Sequence, residues 1–257
     1  MGINMNKKIK KVNKVSAVQK ALENLRKYID ESNISVLPSE DEIANALGVS
    51  RLTLRESITI LEKEGLVSRI QGKGTLINSF VTKLDNRIDS GSDVEGALRR
   101  HGHEVRFSVV NLYYKTANEY EKLQMQIEES NNDEILVIEK VLYASDEPVA
   151  LYIDRIPAKN LKTDCEFNKE YFEPTIFPIV EKICDLSITH DVVKIIPFSC
   201  DEELAKLFNL NVNTPLITFD VLEYTRDGAV AMYNTEYYTG KMIDFTICRN
   251  VAYRYNH

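Results

Sequence analysis

The sequence predicts an α+β protein in two parts, a small head of three helices with a β-hairpin and a larger body built on an antiparallel sheet. Three observations predict it. Apolar residues recur at helical spacing through residues 15–64, strand-like apolar runs alternate with short helical patterns from about residue 105, and the charge changes sign between the two regions. Residues 1–78 carry 13 Lys and Arg against 9 Asp and Glu, whereas residues 79–257 carry 19 against 30, so a head of +4 precedes a body of −11. A basic head on an acidic body fits a head that approaches phosphate and a body that does not.

The head opens with a lysine-rich stretch, residues 1–14, read as a basic tail. In residues 15–29, Val15, Val18, Leu22, Leu25 and Ile29 are three or four apart, the stripe of an amphipathic helix. Pro38 closes the following loop, Ser39 suits an N-cap and Glu42 stands at N3, so a capping box opens a second helix whose Ile43, Ala44 and Leu47 face inward. Gly48 suits the left-handed residue that ends this helix, and Ser50 suits the cap of the next.

The third helix is expected over residues 51–64. Leu54, Ile58 and Leu61, with Leu52, are assigned to its apolar face, leaving Arg51, Thr53 and Arg55 on its first turn. Base readout needs this arrangement, because the first turn of a recognition helix enters the major groove and arginine donates two hydrogen bonds to guanine. Residues 66–70 and 75–78 read as two short strands joined by Gln71-Gly72-Lys73-Gly74, a hairpin that presents Lys73 and glycine amides to phosphate or the minor groove.

Residues 79–92 have the composition of a linker, and Ser92-Asp93-Val94-Glu95 reads as a second capping box. Strands are expected at 105–114, 135–143, 148–156, 188–196, 216–224 and 229–238, with helices at 118–126, 174–184 and 201–207. The run 119–129 reads as a solvated helix face. Seven tyrosines, Tyr113, Tyr114, Tyr143, Tyr152, Tyr233, Tyr237 and Tyr238, are able to line a pocket, although aromatic residues on half-buried strands more often simply pack.

Several function classes lack their motifs. The four cysteines lie 16 or more residues apart, which suggests neither a zinc knuckle nor a disulfide framework, and His101 and His103 lack a third metal ligand at convincing spacing. No Gly-x-Ser-x-Gly, phosphate-cradling glycine loop or His-Glu-x-x-His is present, so an enzyme is the weaker reading and no cofactor or metal is expected. No apolar run reaches the ~18 residues of a membrane span, so a cytoplasmic protein is expected.

Four ordered motifs, Leu37-Pro-Ser-Glu, Gly48-Val-Ser-Arg-Leu-Thr-Leu-Arg-Glu-Ser, Leu61-Glu-Lys-Glu-Gly-Leu-Val and Gln71-Gly-Lys-Gly-Thr, resemble the winged helix-turn-helix of the GntR regulators over residues 16–78. The resemblance implies DNA contacts by Arg51, Thr53, Arg55, Gly72 and Gly74, joined by Lys73 and by Ser39 and Ser50 at the helix starts. Asp41 departs from the pattern, where a basic residue is common, as does Leu52, where Thr or Ser is common.

The order of elements beyond residue 92, with Asp146-Glu-Pro-Val-Ala-Leu, the Asp227-Gly228 turn and Tyr238-Thr-Gly240, resembles the UTRA effector domain of the HutC branch, which has a chorismate-lyase-like fold. The implied organisation is a tail at 1–14, a DNA-binding domain at 15–78, a linker at 79–92 and an effector-binding, dimerising domain at 93–257. The implied protein is a homodimeric repressor of a palindromic operator, controlled by a small anionic effector; the alternative is a chorismate-lyase-like enzyme with a DNA-binding head. The implied pocket contains Ser92 and Thr175 at helix starts, with Lys140, Tyr152, Met232 and Tyr238. Lys140 and Leu142 align with an arginine pair of sugar-phosphate readers, and Tyr152 and Met232 with carboxylates. A pocket that retains one cation and loses several polar anchors implies a ligand less hydroxylated than a sugar phosphate, such as a small carboxylate or aromatic acid.

Overall fold

The computed structural model describes residues 16–91, 93–128, 133–162, 167–172 and 175–249; the basic tail, Ser92 and Cys165 lie outside them. The chain divides into two units, one formed by residues 1–92 with 245–257 and the other by residues 93–244.

In the first unit, Ser16 caps α1 (Ala17–Glu31), Ser39 and Glu42 form the expected capping box on α2 (Glu40–Leu47), Gly48 takes the left-handed conformation, and Ser50 caps α3 (Arg51–Lys63). Each start satisfies an amide that the helix itself leaves unpaired. Leu22, Leu25 and Ile29 of α1, Ile43 and Ala44 of α2, and Leu54, Ile58 and Leu61 of α3 close one core. Ser57 is buried within it and donates to the Val18 and Thr53 carbonyls, so its hydroxyl is satisfied. Leu52 is not part of this core. It is 69 % exposed, because at 100° per residue it points some 200° away from Leu54.

The wing consists of β1 (Val67–Ile70) paired antiparallel with β2 (Gly74–Ile77). Backbone bonds from Leu37 to Thr75 and from Ile77 to Ser35 add a short third segment. Residues 245–249, placed in the effector domain by the sequence reading, group with this unit. Thr246 bridges Arg87, its carbonyl accepts from Ile88 and its hydroxyl donates to the Asp85 carbonyl. Cys248 packs on the head core beside Gly65, where a Cβ would come within 3.0 Å of its sulfur.

The second unit is a six-stranded antiparallel sheet in the order β3-β4-β5-β8-β7-β6. Its strands are β3 (Val105–Thr116), β4 (Glu134–Ala144), β5 (Glu147–Pro157), β6 (Ile188–Ser199), β7 (Pro215–Thr225) and β8 (Val230–Tyr238). Ser145 and Asp146, both at positive φ, make the two-residue turn between β4 and β5. Helix α6 (Ile176–Cys184) packs Ile176, Ile179, Val180 and Ile183 on one face, against Leu136, Ile138, Ile156 and Met232. On the other face lie α5 (Glu119–Met125) and α7 (Glu202–Phe208), each helix contributing to a separate apolar cluster with that side of the strands.

Two local expectations are corrected here. Helix α4 (Val94–Arg100) is capped by Asp93, whose carboxylate accepts from the Gly96 amide, so the cap sits one residue later than read. The run 119–129 is not wholly solvated. Glu121 is 3 % exposed and holds Lys115 at 2.8 Å and Arg155 at 2.9 Å. Two cations, Lys115 from the end of the preceding strand and Arg155 from β5, offset the cost of burying its charge.

Candidate functional site

On the head, the exposed first turn of α3 carries Arg51, Leu52 and Arg55 together, with Thr53 partly covered. Thr53 donates its amide to the Ser50 hydroxyl, and the two hydroxyls are 2.9 Å apart. Ser39 likewise donates its hydroxyl to Glu42 at 2.7 Å. Ser39, Ser50 and Thr53 therefore serve the helix starts directly.

Both arginines are held by the first turn of α2. Arg51 pairs with Asp41, and Arg55 Nε lies 2.6 Å from Glu40 Oε2. These exposed pairs are individually weak in water, and they hold the guanidiniums over the exposed turn. Asp41, the departure from the family pattern, thus has a local role as the partner of Arg51. Sequence reasoning missed Arg69 of β1, which donates to the Arg55 carbonyl at 3.1 Å and the Thr59 hydroxyl at 2.8 Å and so ties wing to recognition helix. The strand sequence alone does not mark it, because the contact forms only once the hairpin folds back on α3.

At the wing tip, Gly72 and Gly74 have φ of +79° and +87°. No atom lies within 4 Å of a Cβ built on Gly72, so conformation rather than space calls for glycine there. Lys73 between them is exposed.

In the body, Lys140, Tyr152 and Glu236 stand side by side across β4, β5 and β8, with Phe219 of β7 next in the row. Asp154 and Asn234 form the adjacent pair, two residues along the same strands and therefore on the same face. Met232 and Tyr238 continue that face along β8, and Glu223 pairs with Met232 from β7 and with Asp191 from β6. Of the predicted pocket residues, the sheet thus brings Lys140, Tyr152, Met232 and Tyr238 onto one face. Met232 is fully buried in the cluster beneath α6. Thr175, at the start of α6, is exposed and donates its hydroxyl to Glu95 at 3.1 Å. Tyr233 and Tyr237 occupy the opposite face, where Tyr233 donates to Asp220 and Tyr237 packs on Phe198.

Sequence reasoning missed Asp154, Glu223, Asn234 and Glu236. The carboxylates absent at Tyr152 and Met232 reappear elsewhere on the same face: Asp154 lies two residues beyond Tyr152, and Glu236 four beyond Met232. Strand alternation puts them on the Tyr152–Met232 face, but only the sheet pairing shows that face to be covered. Lys140 and Asp154, 2 % and 1 % exposed, form an ion pair at 3.4 Å, and Lys140 also sits over the Phe107 ring at 5.0 Å. The Asp154 oxygens and Asn234 Oδ1 are buried without hydrogen-bond alignment to any described residue.

Burial pushes Glu223 up to about 8, with Asp191, Glu236 and Asp154 adding repulsion. Burial also raises Glu236 to about 7, against the pull of the Tyr238 hydroxyl, which donates to it at 2.6 Å. Asp154 is raised by burial, which Lys140 opposes. Glu223 and Glu236 therefore hold protons near neutrality, and the one cation of this face, Lys140, is already paired with Asp154.

The UTRA domain family matches residues 100–244, more than half of the chain, and the family described as bacterial regulatory proteins, gntR family, matches residues 17–77. The chain belongs to the GntR regulators. Among curated relatives, this GntR regulator is 23% identical over 209 residues to the transcriptional repressor NagR of Bacillus subtilis, covering 81% of this chain and 83% of that one. It is 25% identical to the repressor MngR of Escherichia coli, a mannosyl-D-glycerate transport and metabolism system repressor, over 82% and 85% of the two chains. The crystal structure of the possible regulator YydK of Bacillus subtilis has the same fold, with a TM-score of 0.73 at 18% identity over 91% of this chain and 100% of that one. The GntR protein is a transcriptional regulator rather than an enzyme, with a winged helix-turn-helix followed by an α+β UTRA domain. No helix among its described residues is long and apolar enough to cross a membrane.

Proposed function

We propose that two copies of this GntR regulator bind a palindromic operator as a repressor and that a small molecule on the UTRA sheet controls the affinity. The observation that carries the DNA reading is the exposed first turn of α3, where Arg51 and Arg55 point outward from a fully packed helix and are held by α2. Leu52 between them presents an apolar group suited to a thymine methyl.

Pairing of two chains is supported by β6, an edge strand of 12 residues whose Val192, Ile195 and Ile196 are exposed. Such an edge invites another surface. Selection from randomised duplex DNA is expected to recover inverted half-sites, with two chains per duplex in sedimentation; one chain per duplex, or sites without symmetry, would refute the dimeric reading.

Effector control rests on the acceptor-rich UTRA face. A ligand shifts an equilibrium only by its differential affinity for two states, so a 10- to 100-fold operator release requires about 1.4 to 2.7 kcal/mol of coupling.

Lys73 has a different role from the arginines. Lys73→Ala is expected to weaken operator and random DNA alike and to lower the slope of log affinity against log salt by about one. A change in sequence preference without a change in slope would assign Lys73 to the bases instead.

A further inference from the structure

We propose that the UTRA domain takes a ligand bearing a protonated amine, seated on the sheet face where Asp154, Asn234, Glu236 and Glu223 converge. This rests on the reading of that face as the effector site and names the class of effector it takes, in place of the anion implied by resemblance.

The argument is one of donors and acceptors. Asp154, Glu223 and Glu236 supply carboxylates from three neighbouring strands, and Asp191 adds a fourth from β6. Lys140 is the one cation in this array among the described residues, and it is paired with Asp154. No described cation forms an ion pair with Glu223 or Glu236. Independently, the Asn234 side chain, 2 % exposed and on the strand between Met232 and Glu236, leaves its Oδ1 without a donor, while Asp154 has the Lys140 ammonium at 3.4 Å but no aligned hydrogen bond. Asn234 Oδ1 is an acceptor only, and Glu223 and Glu236, held largely protonated near neutrality by burial, become acceptors when a cation arrives and their protons leave. An ammonium is the complementary group, with three donors, a positive charge and no acceptor to be stranded.

The places where an anion is expected hold carboxylates instead. Asp93 folds its carboxylate onto the start of α4, and Glu95 accepts from Thr175 at the start of α6. A phosphate or carboxylate placed there meets like charge. Tyr152 and Glu236 are half-buried, whereas Asp154, Asn234 and Glu223 are almost fully buried. The apolar wall from Phe107, Phe219 and the edge-on Tyr152–Tyr238 pair suits a carbon frame attached to the amine.

The test uses the full chain and two sets of probes matched in size: 1,5-diaminopentane, 1,5-pentanediol and glutarate, and glucosamine, glucose and gluconate. Binding is followed by calorimetry and thermal melting for the wild type and for the isosteric double variant Glu223→Gln/Glu236→Gln. The variant is expected to fold and to melt no lower, because it replaces two carboxyl groups that lack counter-charges by isosteric amides. The expected result is that an amine binds the wild type at least tenfold more tightly than its neutral and anionic counterparts, and that the variant loses this preference. Equal or tighter binding of the neutral or anionic members overturns the proposal, as does the absence of any amine preference that depends on the two glutamates. If glutarate or gluconate binds and releases operator, effector control stands while the amine class fails. If an amine binds in the expected way and operator affinity does not move, the amine class stands while effector control fails.

Discussion

Replacing Lys140 by methionine is expected to destabilise the UTRA domain by about 3–5 kcal/mol, the cost of leaving one member of a buried ion pair without its partner. Methionine fills nearly the same volume, so packing against Phe107 is largely kept and the loss is electrostatic. The effect should depend on pH with a definite sign. Burial already raises the Asp154 carboxyl, and losing Lys140 raises it further. A carboxyl raised above its unfolded value of about 3.9 costs stability progressively as pH rises from there toward the folded value, so the deficit is small in acid and grows toward neutrality. Urea unfolding across pH measures this. The double variant Lys140→Met/Asp154→Leu should recover most of the loss, since an apolar pair of similar volume replaces a buried ion pair at little cost. A Lys140→Met deficit under about 1 kcal/mol, unchanged with pH and not recovered by the second substitution, would show that the two side chains are not a coupled buried pair.

Arg51→Ala and Arg55→Ala are expected to have the largest effect on DNA. Each removes a planar fork of donors worth about 1–3 kcal/mol of discrimination against a wrong base, hence a loss of operator preference of about ten- to hundredfold. Binding to random duplex should change much less. The contrast with lysine is informative: Arg51→Lys keeps the charge but not the fork, so it should preserve general affinity and still lose preference. Anisotropy titrations of selected and scrambled duplexes give the ratio, and an unchanged melting transition shows that the head remains folded. Selectivity unchanged in both alanine variants would remove α3 as the reading helix.

The fold was legible where its determinants are local. Ser39 with Glu42, Gly48 and Ser50 mark the ends of α2 and the start of α3 through hydrogen bonds or backbone angles confined to a few residues. The turn at Ser145 and Asp146 was legible for the same reason. Leu52 was misplaced by an argument from residue type, although helical periodicity by itself puts it on the outer side. The cap at Asp93 was misread by one residue because Ser92 and Asp93 are both suited to the role.

Most of the acceptor-rich face was not legible, for a different reason. In the strand sequences, Asp154 and Glu236 look like the polar half of an alternating pattern, and only the pairing of β5 with β8 and the cover of α6 make that half the buried one. Glu121 was misjudged similarly, since its partners Lys115 and Arg155 come from strands on either side of β4. Non-local pairing decides which side of an alternation is inside, and a single strand carries no record of it.

The return of the chain to the head has a consequence for how this regulator is made. Thr246 and Cys248 complete the first unit, yet a ribosome reaches them only after residues 93–244 have been translated. The helices of the head emerge before the sheet and the contacts that finish it after the sheet, a closure of high sequence separation that comes late in folding. A nascent chain therefore exposes the surface around Gly65 and Arg87 until synthesis of the sheet is over, and full assembly of the head waits on the UTRA domain.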